Sequence, residues 1–165
     1  MATEAPARPI ALAWSAENCT IGRAMEIIGE KWSILVLREV FMGIRRFEDM
    51  RVRTNIPRQV LTNRLATLVE HGLLRRVPYQ EPGARSRDEY RLTDKGLDLY
   101  PVLAALLEWG DRYLGDPDGP SVTFTHHDCG EPVQVELRCG LGHQLEPRAV
   151  RPQPGPGVRP LVARS

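Results

Sequence analysis

The sequence predicts a mainly helical α+β fold, with one small β wing and a short β extension towards the C-terminus. Three observations carry this expectation. Between Arg45 and Thr93 a short amphipathic helix, a turn, a second helix and an Arg-studded hairpin follow one another. On both sides of that stretch, apolar residues recur at helical spacing. Period-two alternation is confined to short runs, such as Val133-Gln134-Val135-Glu136-Leu137.

The elements follow in order. Residues 1–18 contain Pro6 and Pro9 and little periodicity, so a loose arm is expected. Ile21, Met25 and Ile28 share one face of a first helix that starts near Cys19 and ends at Gly29. A second helix starts at about Lys31 or Trp32. It carries Ile34, Leu35, Leu37, Val40 and Phe41, with Gly43 beyond its end. That apolar arc is wide, which implies burial over much of the surface. Phe47 to Arg51 makes a short helix, and Arg53-Thr54-Asn55-Ile56 reads as a turn. Pro57 suits the first turn of the next helix, where its missing N–H is not needed. There Leu61, Leu65 and Leu68 form the buried stripe, and Gly72 ends the run.

Leu74 to Pro78 and Glu89 to Leu92 read as strands, with a Pro82-Gly83 turn between them and Arg85 and Arg87 at the tip. Thr93 is the expected N-cap of one long final helix, carrying Leu97, Tyr100, Leu103, Leu106, Leu107, Trp109 and Leu114, in which Pro101 should cause a kink or cost a hydrogen bond. The domain reading is an arm at 1–18, a winged helix-turn-helix domain at 19–115, a small β-rich extension at 116–150 and a disordered Pro/Gly-rich tail at 151–165.

Charge and composition narrow the function. The net charge of +1 hides an asymmetry: residues 45–91 hold 11 Arg against 6 acidic side chains, while the segments on either side are net negative. A basic patch on one module is the electrostatic footprint of polyanion binding. No apolar run approaches the ~20 residues of a membrane span, and no secretory core follows Met1, so the expected compartment is the cytoplasm. An odd cysteine count of 3 does not make a disulfide framework there. There is no P-loop, dinucleotide glycine motif, His-Glu-x-x-His or Gly-x-Ser-x-Gly, so an enzyme is not expected.

The helix beginning at Pro57 is suited to duplex DNA. Arg58, Gln59, Thr62 and Asn63 fall opposite its leucine stripe. Gln and Asn can pair bidentately with adenine, and Arg with guanine, in the major groove. Arg53 and Arg64 lie where phosphates could be met, and Arg85 and Arg87 could reach the minor groove or its phosphates. The alternative is a winged-helix protein-interaction module; Arg85, Arg87 and the polar helix face argue against it.

These motifs resemble the HxlR-type transcriptional regulators, a winged-helix group close to the MarR type. The resemblance covers about residues 19–113. It rests on Cys19, Gly29-Glu30-Lys31-Trp32, Leu35-Val36-Leu37-Arg38-Glu39, Gly43-Ile44-Arg45-Arg46-Phe47 and Ile56. It continues through Leu61-Thr62-Asn63-Arg64-Leu65, Glu70-His71-Gly72-Leu73, Tyr90-Arg91-Leu92-Thr93-Asp94-Lys95-Gly96 and Trp109-Gly110. The resemblance implies a homodimer, paired through the N-terminal region and the long last helix, on a pseudo-palindromic operator. The chain departs from the pattern at Pro57, where family members often have Ser. The extension beyond Gly115 is present in only part of the family.

Three further constellations stand out. Cys19, at the positive end of the first helix and near Arg23, is a candidate redox or electrophile trigger; a small buried hydrophobe at the dimer interface is the plainer reading. Trp32, Phe41, Trp109 and Tyr113 could line an effector pocket between subunits, or could be plain core. His126-x-x-Cys129 and Cys139-x-x-x-His143 could close a tetrahedral zinc site, with His127 as an alternative ligand. The same spacing suits two cysteines facing each other across a hairpin without metal.

Overall fold

The computed structural model describes residues 15–161, so most of the expected N-terminal arm lies outside the described residues. Among the described residues, six α-helices and one hairpin follow in the order α1 (Thr20–Ile28), α2 (Lys31–Phe41), α3 (Phe47–Thr54), α4 (Arg58–Glu70), β1 (Leu74–Tyr79), β2 (Arg87–Leu92), α5 (Asp94–Leu97) and α6 (Tyr100–Leu114), with one 3-10 turn at Pro147–Ala149. No helix among the described residues is long and apolar enough to cross a membrane.

α2 is the hub of the packing. Val36, Leu37 and Val40 are buried on it, and they meet Met50 of α3, Ile56 of the turn and Leu61, Leu65 and Leu68 of α4. The α4 stripe falls where its spacing predicts, one leucine per turn on the inner face. Fully burying a leucine stabilises by about 1.5–3 kcal/mol, so these three fix which face of α4 points outward. Leu73 and Leu74 carry the same core into the hairpin.

The hairpin is antiparallel, with Leu74 opposite Leu92 and Tyr79 opposite Arg87. Both strands run beyond the predicted bounds, so Arg87 is the first residue of β2 and only Arg85 belongs to the tip loop. A third piece of chain joins the sheet edge: Arg46 bridges to Glu89, and the Tyr90 N–H donates to the Arg45 carbonyl at 2.8 Å. The segment entering α3 is thereby tied to the wing.

The long last helix is two helices. The chain breaks at Asp98-Leu99, and Pro101 falls in the first turn of α6. The reason is the missing N–H: in the first turn that donor has no intrahelical acceptor in any case, so neither a kink nor a lost bond results. Thr93 caps α5 as expected, its Oγ1 accepting from the Gly96 N–H at 3.1 Å and donating to the Gly72 carbonyl at 2.6 Å.

Val133 to Leu137 forms no regular strand. The extension instead folds as two tight loops, each closed by one bridge, Thr125 to Pro132 and Arg138 to Gln144. Pro132 has no N–H with which to continue a ladder, and the Val135 N–H donates to the Glu108 side chain on α6 at 3.1 Å. Residues 151–161, in the segment expected to be disordered, run back to the start of the described chain. There the Arg159 carbonyl accepts from the Ser15 N–H at 2.8 Å, and the Gly157 carbonyl accepts from Asn18 Nδ2 at 2.5 Å.

Gly96 is buried against the turn before the wing, and a Cβ there would collide with the Leu73 carbonyl oxygen. The colliding Leu73 carbonyl is backbone, and only the Leu92 side chain, 3.0 Å from that position, could yield. Gly96→Ala is expected to lower stability by about 2–3 kcal/mol, read as a reduced urea midpoint with an unchanged slope.

Candidate nucleic-acid interface

α3, a three-residue turn and α4 form the helix-turn-helix. α3 runs through Thr54, further than its sequence suggests, because Thr54 Oγ1 donates to the Met50 carbonyl at 2.6 Å and holds the last turn. Asn55 then takes the left-handed conformation (φ 55°), which reverses the chain. Ile56 is buried and anchors the turn. Pro57 is the N-cap with extended backbone, so α4 starts one residue later, at Arg58.

The base-facing candidates Arg58, Gln59, Thr62 and Asn63 are all exposed on one side of α4. Gln59 Nε2 donates to Asn63 Oδ1 at 2.9 Å, so the two amides are joined across one helical turn. That pairing leaves one amide oxygen and one amide NH₂ directed outward, the complementary set that adenine presents an edge for. Thr62 Oγ1 donates back to the Arg58 carbonyl at 3.0 Å and keeps its lone pairs as acceptors. Arg64 is half-buried.

Arg53 is held differently. Its Nε donates to Glu39 Oε2 at 2.6 Å, and Arg38 forks onto Glu39 Oε1 through Nη2 at 2.6 Å and Nε at 3.1 Å. The Glu39 side chain is 0% exposed, while Arg53 keeps 46% of its own surface in solvent. Nothing in the sequence marks this buried carboxylate bridging α2 to α3, because Arg38-Glu39 reads as ordinary helix charge.

The contacts that Arg46, Glu48, Tyr79 and Glu81 make likewise carry no signal in the sequence. Arg46 lies over the Tyr79 ring at 4.4 Å and donates to Glu81 at 2.6 Å. Arg58 lies over the Phe47 ring at 5.1 Å and donates to Glu48, which also accepts from Arg51 Nε at 2.9 Å. The Arg51 hydrogen bond, reinforced by that of Arg58, holds the Glu48 carboxyl below the ordinary carboxylate range. The bond to Glu81 raises the Arg46 pKa further.

The remaining candidates are dispersed. Trp109 and Tyr113 stack at 5.4 Å on α6 and line a cavity of about 300 Å³ with Glu108, Arg112, Val135 and Pro147. Trp32 and Phe41 pack instead against the core, where Phe41 meets the Tyr100 ring edge-on at 4.9 Å. Cys19 is the exposed N-cap residue of α1. His126 Nδ1 lies 3.1 Å from Cys129 Sγ, but no group of three potential metal ligands comes together among the described residues. Cys139 sits in the second loop of the extension. Backbone N–H groups of Leu141, then His143, point at its sulfur and draw the thiol pKa down.

A family model described as HxlR-like helix-turn-helix matches residues 27–118, more than half of the chain. The chain belongs to the HxlR-like helix-turn-helix family. This is a family of DNA-binding transcriptional regulators and not of enzymes. The HxlR-like chain is 45% identical over 150 residues to Rv3095 of Mycobacterium tuberculosis (strain ATCC 25618 / H37Rv), an uncharacterized HTH-type transcriptional regulator, the match covering 90% of this chain and 94% of the relative. Its structure is similar to that of PA1607, a candidate transcription factor, with TM-score 0.73 and 36% identity over 83% of this chain and 95% of the other. It is also similar to the redox regulator HypR in its oxidized form, with TM-score 0.50 and 28% identity over 57% of this chain and 96% of that one.

Two outcomes follow from this geometry. Glu39→Ala removes three charge-assisted hydrogen bonds, one of which joins α2 to α3, and is expected to cost about 2–3 kcal/mol of stability, measured by chemical denaturation. Cys139 should react with iodoacetamide with a pH midpoint below the ordinary thiol value of about 8.5. A lowered pKa means thiolate at lower pH, and unfolding in urea should return the midpoint upward, as followed by peptide mass spectrometry.

Proposed function

We propose that this HxlR-like chain works as a homodimer on a pseudo-palindromic duplex, as a sequence-specific regulator released or retuned by a small-molecule or redox signal. The observation that carries the reading is the outward face of α4. Arg58, Gln59, Thr62 and Asn63 stand exposed over a fully buried leucine stripe, directly after a helix and a tight turn. The base-reading role belongs to those four residues, with Gln59 and Asn63 suited to adenine. Arg64 at the helix side and Arg85 and Arg87 on the wing are suited to phosphates, and none of these three has an ion-pair partner among the described residues.

Dimerisation is supported by apolar surface that a single chain leaves in water. Ile21 and Met25 of α1 and Leu106, Trp109 and Tyr113 of α6 are exposed, Ile21 by 73%. Two copies related by two-fold symmetry would place two α4 helices about one DNA turn, ~34 Å, apart. Cys19 at the exposed N-cap of α1 and the Trp109–Tyr113 cavity are the two places where a signal would act. The likeness to a redox regulator favours Cys19. A regulator of this kind acts where the DNA is, in the cytoplasm.

Selection of bound genomic fragments, followed by anisotropy on the selected duplex, tests the reading. Asn63→Ala should weaken binding to the selected duplex by about tenfold or more and leave binding to random duplex unchanged. Arg85→Ala should weaken both equally and lower the salt slope by about 0.9 for each phosphate it ceases to neutralise. Absence of salt-dependent binding to any duplex would sink the proposal.

A further inference from the structure

A cleft of about 610 Å³ opens between the wing, the start of α3 and the start of α4. Its walls hold Arg46, Arg58 and Arg87, and with them the carboxylates Glu48, Asp49, Glu81 and Asp88. Two of these arginines share one arrangement. Each guanidinium is stacked on an aromatic ring, Arg46 on Tyr79 and Arg58 on Phe47. Each also has its N–H edge turned onto a carboxylate, Glu81 for Arg46 and Glu48 for Arg58. A ring that fixes the guanidinium plane while its fork meets an oxyanion is the geometry in which arginine binds phosphate.

The placement matches a particular stretch of DNA. With the first turn of α4 in a major groove and the wing beside it, the strand that separates that groove from the neighbouring minor groove passes between them. The cleft lies between those same elements. We infer that this cleft is a phosphate clamp for that strand, and that Glu48 and Glu81 occupy it in the free protein as intramolecular anion mimics which DNA displaces. The inference rests on the proposed DNA reading, moves Arg58 within it from base edges to phosphate, and adds Arg46 as a second phosphate ligand and two carboxylates as a brake.

The exchange is physically balanced. Carboxylate and phosphate compete for the same N–H edges, and the stacked rings keep those edges in place while the partner changes. Exposed ion pairs are worth little in water, so both latches can open. Glu48 retains Arg51 when it releases Arg58 and therefore stays charged. Both carboxylates then face incoming phosphates with like charge, which holds down affinity for DNA of any sequence. Phosphates carry no sequence information, so the brake acts equally on operator and bulk DNA.

The test is Glu48→Gln/Glu81→Gln in the full chain, an amide exchange that keeps shape and removes charge. Anisotropy is measured on the selected duplex and on a random duplex across a salt series, with a melting curve as the folding check. The double variant is expected to bind both duplexes at least about fivefold more tightly. Its salt slope should be steeper by up to about 0.9 for each arginine freed. Asp111→Asn/Asp116→Asn, the same charge change away from the cleft, should change neither quantity. A folded Glu48→Gln/Glu81→Gln protein that binds no more tightly than wild type overturns the clamp alone. Equal tightening by the remote pair overturns it too, by assigning the effect to net charge. A wild-type protein that binds no duplex overturns the clamp together with the DNA reading beneath it.

Discussion

A single buried carboxylate sets the geometry on which the proposed DNA-facing surface depends. Glu39 lies on α2, fully out of solvent, on the same helix as the buried Val36, Leu37 and Val40. Burying an ionised carboxylate costs several kcal/mol unless it is paired and hydrogen-bonded. Here Arg38 and Arg53 supply three donors, and Arg53 comes from α3. The pair therefore acts as a strut between helices that share rather little apolar surface: on α3 only Met50 is buried. α4 needs no such strut, because its three leucines seat it directly on α2. The angle between α3 and α4, and so the presentation of Arg58 to Asn63, follows from one ionic contact, one leucine stripe and the left-handed Asn55 between them.

Ion pairing also changes the meaning of the charge count. Residues 45–91 contain 11 arginines. Of these, Arg46, Arg51, Arg53, Arg58 and Arg91 are in ion pairs with carboxylates of the chain. Net charge by segment thus overstates the positive surface presented to a polyanion in the free state. Part of it is committed to structure, as with Arg53, and part is held against carboxylates in the wing cleft. The arginines with no such partner among the described residues lie mainly along the hairpin, at Arg75, Arg76, Arg85 and Arg87.

Much of the fold is legible in the chain because period and punctuation agree. Leu61, Leu65 and Leu68 repeat at helical spacing, Gly72 follows at a positive φ of 69°, and the hairpin has its Pro-Gly turn. Such local signals survive folding because each is satisfied within a few residues. The failures are cases where a contact outside the repeating pattern decides. Pro101 reads as a defect inside one helix, whereas the chain tightens at Asp98-Leu99, where the Leu99 N–H donates to the Gly96 carbonyl at 3.1 Å, and Pro101 falls in the first turn of the next helix. Val133 to Leu137 alternates like a strand but meets other backbone at its two ends, where the Val133 N–H donates to the Phe124 carbonyl and the Leu137 carbonyl accepts from the Leu145 N–H, while the Val135 N–H between them goes to the Glu108 side chain. The ion pairs at Arg46 and Arg58 join residues 35 and 10 positions apart, beyond any pattern a linear reading can detect.

α2 also explains how the two ends of the molecule can be linked. It packs against α1 and α6, which carry exposed apolar faces, and against α3, α4 and β2, which carry the side chains proposed to face DNA. At its C-terminal end Phe41 meets Tyr100 at the start of α6, and Tyr100 in turn meets Phe124 of the extension at 5.0 Å. Directly after Phe41 the chain turns at Gly43, and the Ile44 N–H returns to the Glu39 carbonyl at 2.9 Å before the chain reaches Arg46 at the wing. A displacement of α6 or of the extension therefore bears on the same few residues that hold Arg53 through one end of Glu39 and Arg46 through the chain that follows it. Close-packed interiors shift between discrete arrangements rather than deforming smoothly. Coupling from the apolar faces to the proposed DNA face would have α2 as its shortest physical route, passing through the Glu39 strut.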